Sequence, residues 1–267
     1  MRPKPKDDSR NSRDRMSEVY GVNPVLEALR AAHRPIQEIT IAEGARDARL
    51  RDIVDLARER NIPVHHLPRK NLDRLTGNAA HQGIVARVAS AQYADADELL
   101  ELIAERVGKP PEPLLVILDG VEDPHNLGAV LRTAECAGAD AVFIPERRAV
   151  GLTDTVAKAS AGAVDHLPVA RVTNLSRLID QLKERNVWVV GAAGDAGTSY
   201  TDWDWTRASA IVLGSEGAGL HRLVRERCDA LISIPVLGQI ESLNVSVATG
   251  VILYEAVRQR GLSMKKG

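Results

Sequence analysis

From Leu114 onward the chain alternates short, wholly apolar runs with stretches of helical period. "LLVILDG" is followed by "NLGAVLRTAECAGA", and "DAVFIP" comes next. "LIDQLKERN" leads to "VWVVGAAG", "ASAIVLG" to "LHRLVRERC", and "ALISIPV" to "SLNVSVATGVILYEAVRQR". A strand buried on both faces reads as a continuous apolar run rather than an alternating one. Strand–helix alternation requires crossover connections, and these build a parallel sheet with helices on its faces. The sequence therefore predicts an α/β domain over residues 113–267.

The segment before it reads differently. Residues 18–91 predict a small α/β domain, with Asn23 placed to cap a helix that opens on Pro24. "IQEITIA" alternates as a half-buried strand does, "ARLRDIVDLARER" has helical period, and "GIVARVA" closes the domain. Residues 92–112 read as a linker with one helix, ended by Pro110, Pro111 and Pro113. Residues 1–17 read as a disordered basic arm; in the first fifteen, six Lys or Arg face three Asp.

Several function classes fall away on composition. No apolar run reaches the roughly 18–20 residues that span a bilayer, and the polar start carries no secretory signal, so a cytoplasmic protein is expected. Two cysteines, Cys136 and Cys228, make neither a disulfide framework nor a metal cluster. Seven histidines are scattered apart from the His65–His66 pair, and no metal is expected. The net charge of −1 leaves a nucleic-acid partner to local patches. A single Phe argues against a sheet that stacks bases on aromatic rings.

Open parallel sheets bind ligands beyond the carboxyl ends of their strands. Four such ends here carry Gly-rich or polar loops: "VEDPHNLGAVLR", "AGDAGTSY", "SEGAGL" and "LGQIESLNVSVATG". Neither "GAAGDAG" nor "GSEGAG" has the spacing of a dinucleotide fingerprint or a Walker loop. Ser215 lies in L-G-S-E-G, which is not a hydrolase elbow. What remains is a glycine-lined cradle with Asn126, Arg132, Glu216, Ser242 and Asn244. Glycines let backbone approach a ligand closely. Arg132 suits bidentate phosphate binding, although a surface pair with Glu135 fits the same spacing. Ser242 is placed to cap the last helix, while Asn244 fits neither that cap nor the apolar row of Leu243, Val247 and Val251. Arg147, Arg148, Arg222, Arg225 and Arg227 are further candidates for phosphate contacts.

Three of these stretches, "DGVEDPHNLGAVLRTAECAGADAVFIP", "IVLGSEGAGL" and "ISIPVLGQIESLNVSVATGVILYE", resemble the three motifs of the SpoU (TrmH-type) RNA 2′-O-ribose methyltransferases of the SPOUT superfamily. "YGVNPVLEAL" and "HQGIVARV" resemble that family's small L30e-like substrate-binding domain. The resemblance implies S-adenosylmethionine as methyl donor, a deep C-terminal trefoil knot and a homodimer. It implies that Gly214, Ile234 and Leu243 offer backbone contacts to the cofactor, with Gly191 and Gly217 lining the same pocket, and that Asn126, Arg132, Glu216, Ser242 and Asn244 form the active site. The subgroup it resembles most methylates a guanosine of 23S rRNA. Transfer RNA, an rRNA site tied to antibiotic resistance, and a silent ribosome-assembly role are the alternatives. A guanidinium stays protonated in proteins and is no general base, so Arg132 is expected to anchor phosphate and stabilise an alkoxide.

Overall fold

The computed structural model describes residues 16–31, 35–240 and 242–264; the basic arm lies outside these, apart from Met16 and Ser17. The described residues form two compact units, one of residues up to Gln92 with Leu152–His166, the other of Tyr93–Gly151 and Leu167 onward.

The first unit opens with a strand that the sequence reading does not foresee, β1 (Met16–Tyr20). It continues through α1 (Val22–Ala31), β2 (Ile36–Ala42), α2 (Arg49–Glu59), β3 (Val64–Leu67), α3 (Arg69–Leu75) and β4 (Ile84–Ala89). The sheet order is β1-β4-β2-β3, with only β2 and β3 parallel. Val22, Val25, Leu29, Ile39, Ile53 and Ile84 form its core. Asn23 does not cap α1. The helix begins at Val22, whose N–H donates to Gln82 Oε1 at 3.0 Å, while the Asn23 side chain accepts from Arg49 at 2.6 Å. The cap comes from sixty residues along the chain, where no local pattern shows it. A helix α6 (Asp154–Ala159) belongs to this unit.

The second unit is built on α4 (Ala96–Arg106), β5 (Leu114–Asp119), α5 (Pro124–Cys136), β6 (Ala141–Pro145), β7 (Val169–Val172), α7 (Leu175–Glu184), β8 (Trp188–Ala192), β9 (Thr198–Ser199), β10 (Ser209–Gly214), α8 (Arg222–Arg227), β11 (Ala230–Ser233) and α9 (Val245–Met264). Its sheet runs β7-β6-β5-β10-β8-β11-β9, and every pairing is parallel. β5 is buried at all positions, as its unbroken apolar run requires. The stretch 92–112 does hold one helix, and that helix is not a spacer: Leu99, Leu100 and Ile103 of α4 pack into this unit's core beside Phe143 and Ile179.

α9 is tied down at its far end by a half-buried arginine. Arg260 donates to the carbonyl oxygens of Glu112, Pro113, Trp205 and Arg207. Burial pulls its pKa below the usual arginine value. Four strands, β5, β10, β8 and β11, stand side by side in this sheet, so the loops leaving their carboxyl ends meet along one edge. β10 reaches β5 only by crossing over, and the chain leaves β5 in the other direction toward β6. This reversal of strand order is where open α/β sheets place their ligands.

Candidate active site

The site starts at Asp119, the last residue of β5, which is buried despite its charge. The backbone N–H of His221 donates to Asp119 Oδ2 at 2.7 Å, and His221 Nδ1 pairs with Oδ1 at 2.9 Å. This clasp fixes the loop that follows β10 against the end of β5. Within the loop, Gly219 N–H donates to the Ser215 carbonyl at 3.0 Å, folding residues 215–219 back over the strand end. Gly214 lies under that fold. A Cβ there would collide with the carbonyl group of Gly219, so this close approach of backbone to backbone admits glycine alone.

α5 begins beside this loop. Asp123 caps it by accepting from His125 N–H at 2.8 Å, with Pro124 in the first turn. The helix thus opens two residues before Asn126 and sets that side chain in its first turn. Asn126 Nδ2 donates to Glu216 Oε1 at 3.1 Å. Asn244 Nδ2 donates both to Glu216 Oε1, at 2.5 Å, and to Asn126 Oδ1, at 2.9 Å. Three loops are therefore joined in a triangle of side-chain hydrogen bonds. The other end of the Asn244 amide caps α9: its Oδ1 accepts from Ser246 N–H at 2.9 Å and from Ser246 Oγ at 2.6 Å. Asn244, and not Ser242, is the cap. α9 begins at Val245, which leaves Ser242 outside the helix.

The triangle stands between two cavities. The first, of about 420 Å³, is lined by Gly214, Gly217, Ile234, Ser242 and Leu243, among others. The second, of about 350 Å³, includes Gly120, Asn126, Arg148 and His221. Ser215, Glu216, Ala218 and Val245 belong to both. At the rim of the first cavity, Arg225 grips Asp195 in bidentate fashion at 2.9 and 3.0 Å. That hydrogen bonding holds the Asp195 carboxyl below its usual range and raises Arg225.

Two expected site residues stand apart. Gly191 is not in the cavity wall; it is buried in β8, where a Cβ would press on Leu220, Leu231 and Cys228. Its smallness serves packing. Desolvation, with Asp229 nearby, pushes the Cys228 thiol to about 11, which leaves it protonated. Arg132 is exposed on α5, and its guanidinium makes no hydrogen bond or ion pair with a described residue, Glu135 included. Six residues beyond Asn126, it is rotated about 240° around the helix and cannot join the triangle. The sequence reading passes over Asp119 and Asp195; a buried carboxylate ending an apolar strand is the signal it leaves unused. Of the candidate phosphate contacts, Arg222, Arg225 and Arg227 each hold a carboxylate, Glu226, Asp195 and Asp180 respectively.

Among the described residues no His, Cys, Asp or Glu cluster could hold a metal ion, and no helix is long and apolar enough to cross a membrane. The first cavity suits a nucleoside cofactor with a charged tail. Its walls combine apolar side chains and glycine backbone with Asp195, Glu216 and Arg225, the mixture of apolar lining and few fixed polar groups that such sites use.

Residues 113–254 match the SpoU rRNA Methylase family, and residues 19–94 match the RNA 2′-O ribose methyltransferase substrate-binding family. The putative TrmH family tRNA/rRNA methyltransferase YacO of Bacillus subtilis is 46% identical over 91% of this chain and 95% of its own. An AdoMet-bound rRNA methyltransferase from Sinorhizobium meliloti superposes with a TM-score of 0.74, at 25% identity, over 91% of this chain and 87% of that one. The TrmH/SpoU tRNA modifying enzyme of A. aeolicus covers 63% of this chain and 85% of its own, with 28% identity and a TM-score of 0.53. Fold, cavity and matches define a methyltransferase acting on RNA ribose 2′-hydroxyls with S-adenosylmethionine as methyl donor. The chain belongs to the SpoU/TrmH family of the SPOUT superfamily.

Proposed function

We propose that this chain methylates the 2′-hydroxyl of a guanosine in 23S rRNA, working as a homodimer in the cytoplasm. The observation that carries the ribosomal reading is the first unit. The A. aeolicus tRNA enzyme spans 63% of this chain, whereas the S. meliloti rRNA enzyme spans 91%. A substrate-binding domain over 19–94 supports a large, folded RNA target.

S-adenosylmethionine supplies a methyl group made electrophilic by its sulfonium. The chain's own part is to hold and align. Backbone groups at Gly214, Ile234 and Leu243 hold the adenosyl portion, with Gly217 and Ser242 at its edge. Glu216, in the wall shared by both cavities, faces the point where methyl and hydroxyl meet. Asn126 and Asn244 both donate to its Oε1, which leaves Oε2 to accept from an incoming hydroxyl. Fixing the reacting groups in this way is worth roughly 7–11 kcal/mol in favourable cases. Arg132 anchors a phosphate and stabilises the developing alkoxide.

The exposed face of α9 supports the dimer. Val247, Tyr254 and Val257 are 51%, 52% and 37% exposed and share one face of the helix, a row of apolar area that a second copy would cover. Arg132 lies on α5, which packs against α9, and is directed away from its own triangle; this supports its use at a partner's site. The fold of residues 215–219 over Gly214, with Ser242, Leu243, Val245 and Ala248 lining the same cavity, supports the trefoil knot.

The test is to map 2′-O-methyl groups in rRNA and tRNA with and without the gene. The expected result is one lost methyl on a 23S guanosine. A loss confined to tRNA overturns the ribosomal reading, and no loss anywhere favours a silent assembly factor.

A further inference from the structure

The groove does not end at the second cavity. Gly120, Arg148 and His221 line that cavity and also a third, of about 250 Å³, which continues along the sheet edge beyond β5 toward β6 and β7. Arg147, Thr173 and Ser176 complete the far wall. Its charge differs from that of its neighbour. The second cavity carries Glu122, Asp123 and Glu216, whereas the only carboxylate of the third is Asp119, already spent on His221.

Arg147 and Arg148, like Arg132 and Arg177, hold no carboxylate among the described residues. Arg106, Arg185, Arg207, Arg225, Arg227 and Arg258 each hold a carboxylate. Arg147 and Arg148 are exposed and bond to no other described residue. Arg148 has φ of 57°, the left-handed region that a long L side chain seldom adopts. The loop bearing them is fixed from behind, because Glu146 N–H donates to the Val172 carbonyl and Arg171 donates to the Glu146 carbonyl. Two guanidinium groups without counter-ions among the described residues, on an anchored loop in a continuous groove, suit a phosphodiester.

We infer that the third cavity binds the RNA phosphodiester that flanks the target ribose, held by Arg147 and Arg148. The inference rests on the proposed reading that the target hydroxyl meets the methyl group at Glu216, which lines the second cavity. It divides the groove by chemistry: uncharged nucleoside beside Glu216 and Asn126, charged linkage beside the arginines. Arg222, Arg225 and Arg227 take no part, since their charge is already matched.

The experiment compares full-length wild type with the double variant Arg147→Gln/Arg148→Gln. Methylation of total rRNA from a strain lacking the gene is measured, with guanosine and guanosine 3′,5′-bisphosphate as competing probes. Wild type should be inhibited better by the bisphosphate than by the nucleoside, and that preference should vanish in the variant. KM for RNA should rise about tenfold or more with kcat within about twofold, the signature of lost ground-state binding. The log–log salt slope of RNA binding should fall by about 0.7, the value for one neutralised single-strand phosphate. Calorimetric affinity for S-adenosylmethionine should not change. A retained bisphosphate preference with an unchanged salt slope overturns the inference. Absence of methyl transfer by wild type to any RNA instead overturns the reading on which it rests.

Discussion

Asn244 donates to Asn126 across 118 residues of chain, at 2.9 Å, while the same side chain caps the helix that follows it. One amide therefore ties the triangle and caps the helix with different atoms. Its Nδ2 serves Asn126 and Glu216, and its Oδ1 serves Ser246.

This separation can be tested by substitution. Asn244→Ala removes both functions. Turnover should fall about 10²–10³-fold, the usual loss for one positioned donor, and stability should drop by about 1 kcal/mol with the cap. Asn244→Asp keeps a capping oxygen but puts a carboxylate beside Glu216. It should recover the melting temperature without recovering turnover. Tritium transfer and thermal melting read the two effects separately.

Gly214→Ala should be far more damaging than Gly238→Ala. At 214 a methyl meets the Gly219 backbone, whereas at 238 nothing lies within 4 Å. Overpacking of this kind costs typically about 1–3 kcal/mol, and here the loop that must move also forms the cavity. Calorimetry should detect no S-adenosylmethionine binding to Gly214→Ala and near-normal binding to Gly238→Ala.

The Asp195–Arg225 pair sets an acid limit on the rim of the cavity. The Asp195 carboxyl is depressed in the folded state, first by its hydrogen bonding to Arg225. A depressed carboxyl contributes above its unfolded pKa and loses that contribution as pH falls through the lower folded value. The pair should accordingly stay closed through neutral and mildly acidic pH and open only below the ordinary aspartate range. A carboxyl-carbon NMR titration of Asp195 should show its midpoint rising toward the ordinary value in Arg225→Gln.

Arg260→Met should destabilise the second unit by about 2–4 kcal/mol, because four carbonyl acceptors lose a charged donor at once. Denaturant unfolding gives the value; a change below about 0.5 kcal/mol would refute the tether.

Charge on the exposed face of α9 should separate the copies of a dimer. Val247→Glu with Tyr254→Glu should sediment as a monomer, and turnover should fall with it if Arg132 acts across the interface. A monomeric variant with full turnover would confine each site to one chain.

Much of this architecture is legible in local sequence. Unbroken apolar runs such as Leu114–Leu118 mark strands buried on both faces, and the polar loops between them mark the edge where ligands bind. The failures share a cause. Gln82 caps α1 from a distance, Asn244 takes the capping role expected of Ser242, and the tight packing of Gly191 is against Leu220 and Leu231. β1 escapes notice because its partner β4 lies about seventy residues away. In each case the deciding contact is between segments that are remote in sequence, and a single chain read in order carries no mark of it.

The triangle also has a consequence in time. Its three corners come from residues 126, 216 and 244, and the last leads directly into α9. A chain emerging from the ribosome has its strand edge and most of its cavity wall before it has Asn244. Glu216 then has only Asn126 to hold it, and no helix cap locks the loop. The triangle, and with it the wall shared by the two cavities, is therefore complete only once the final helix has formed.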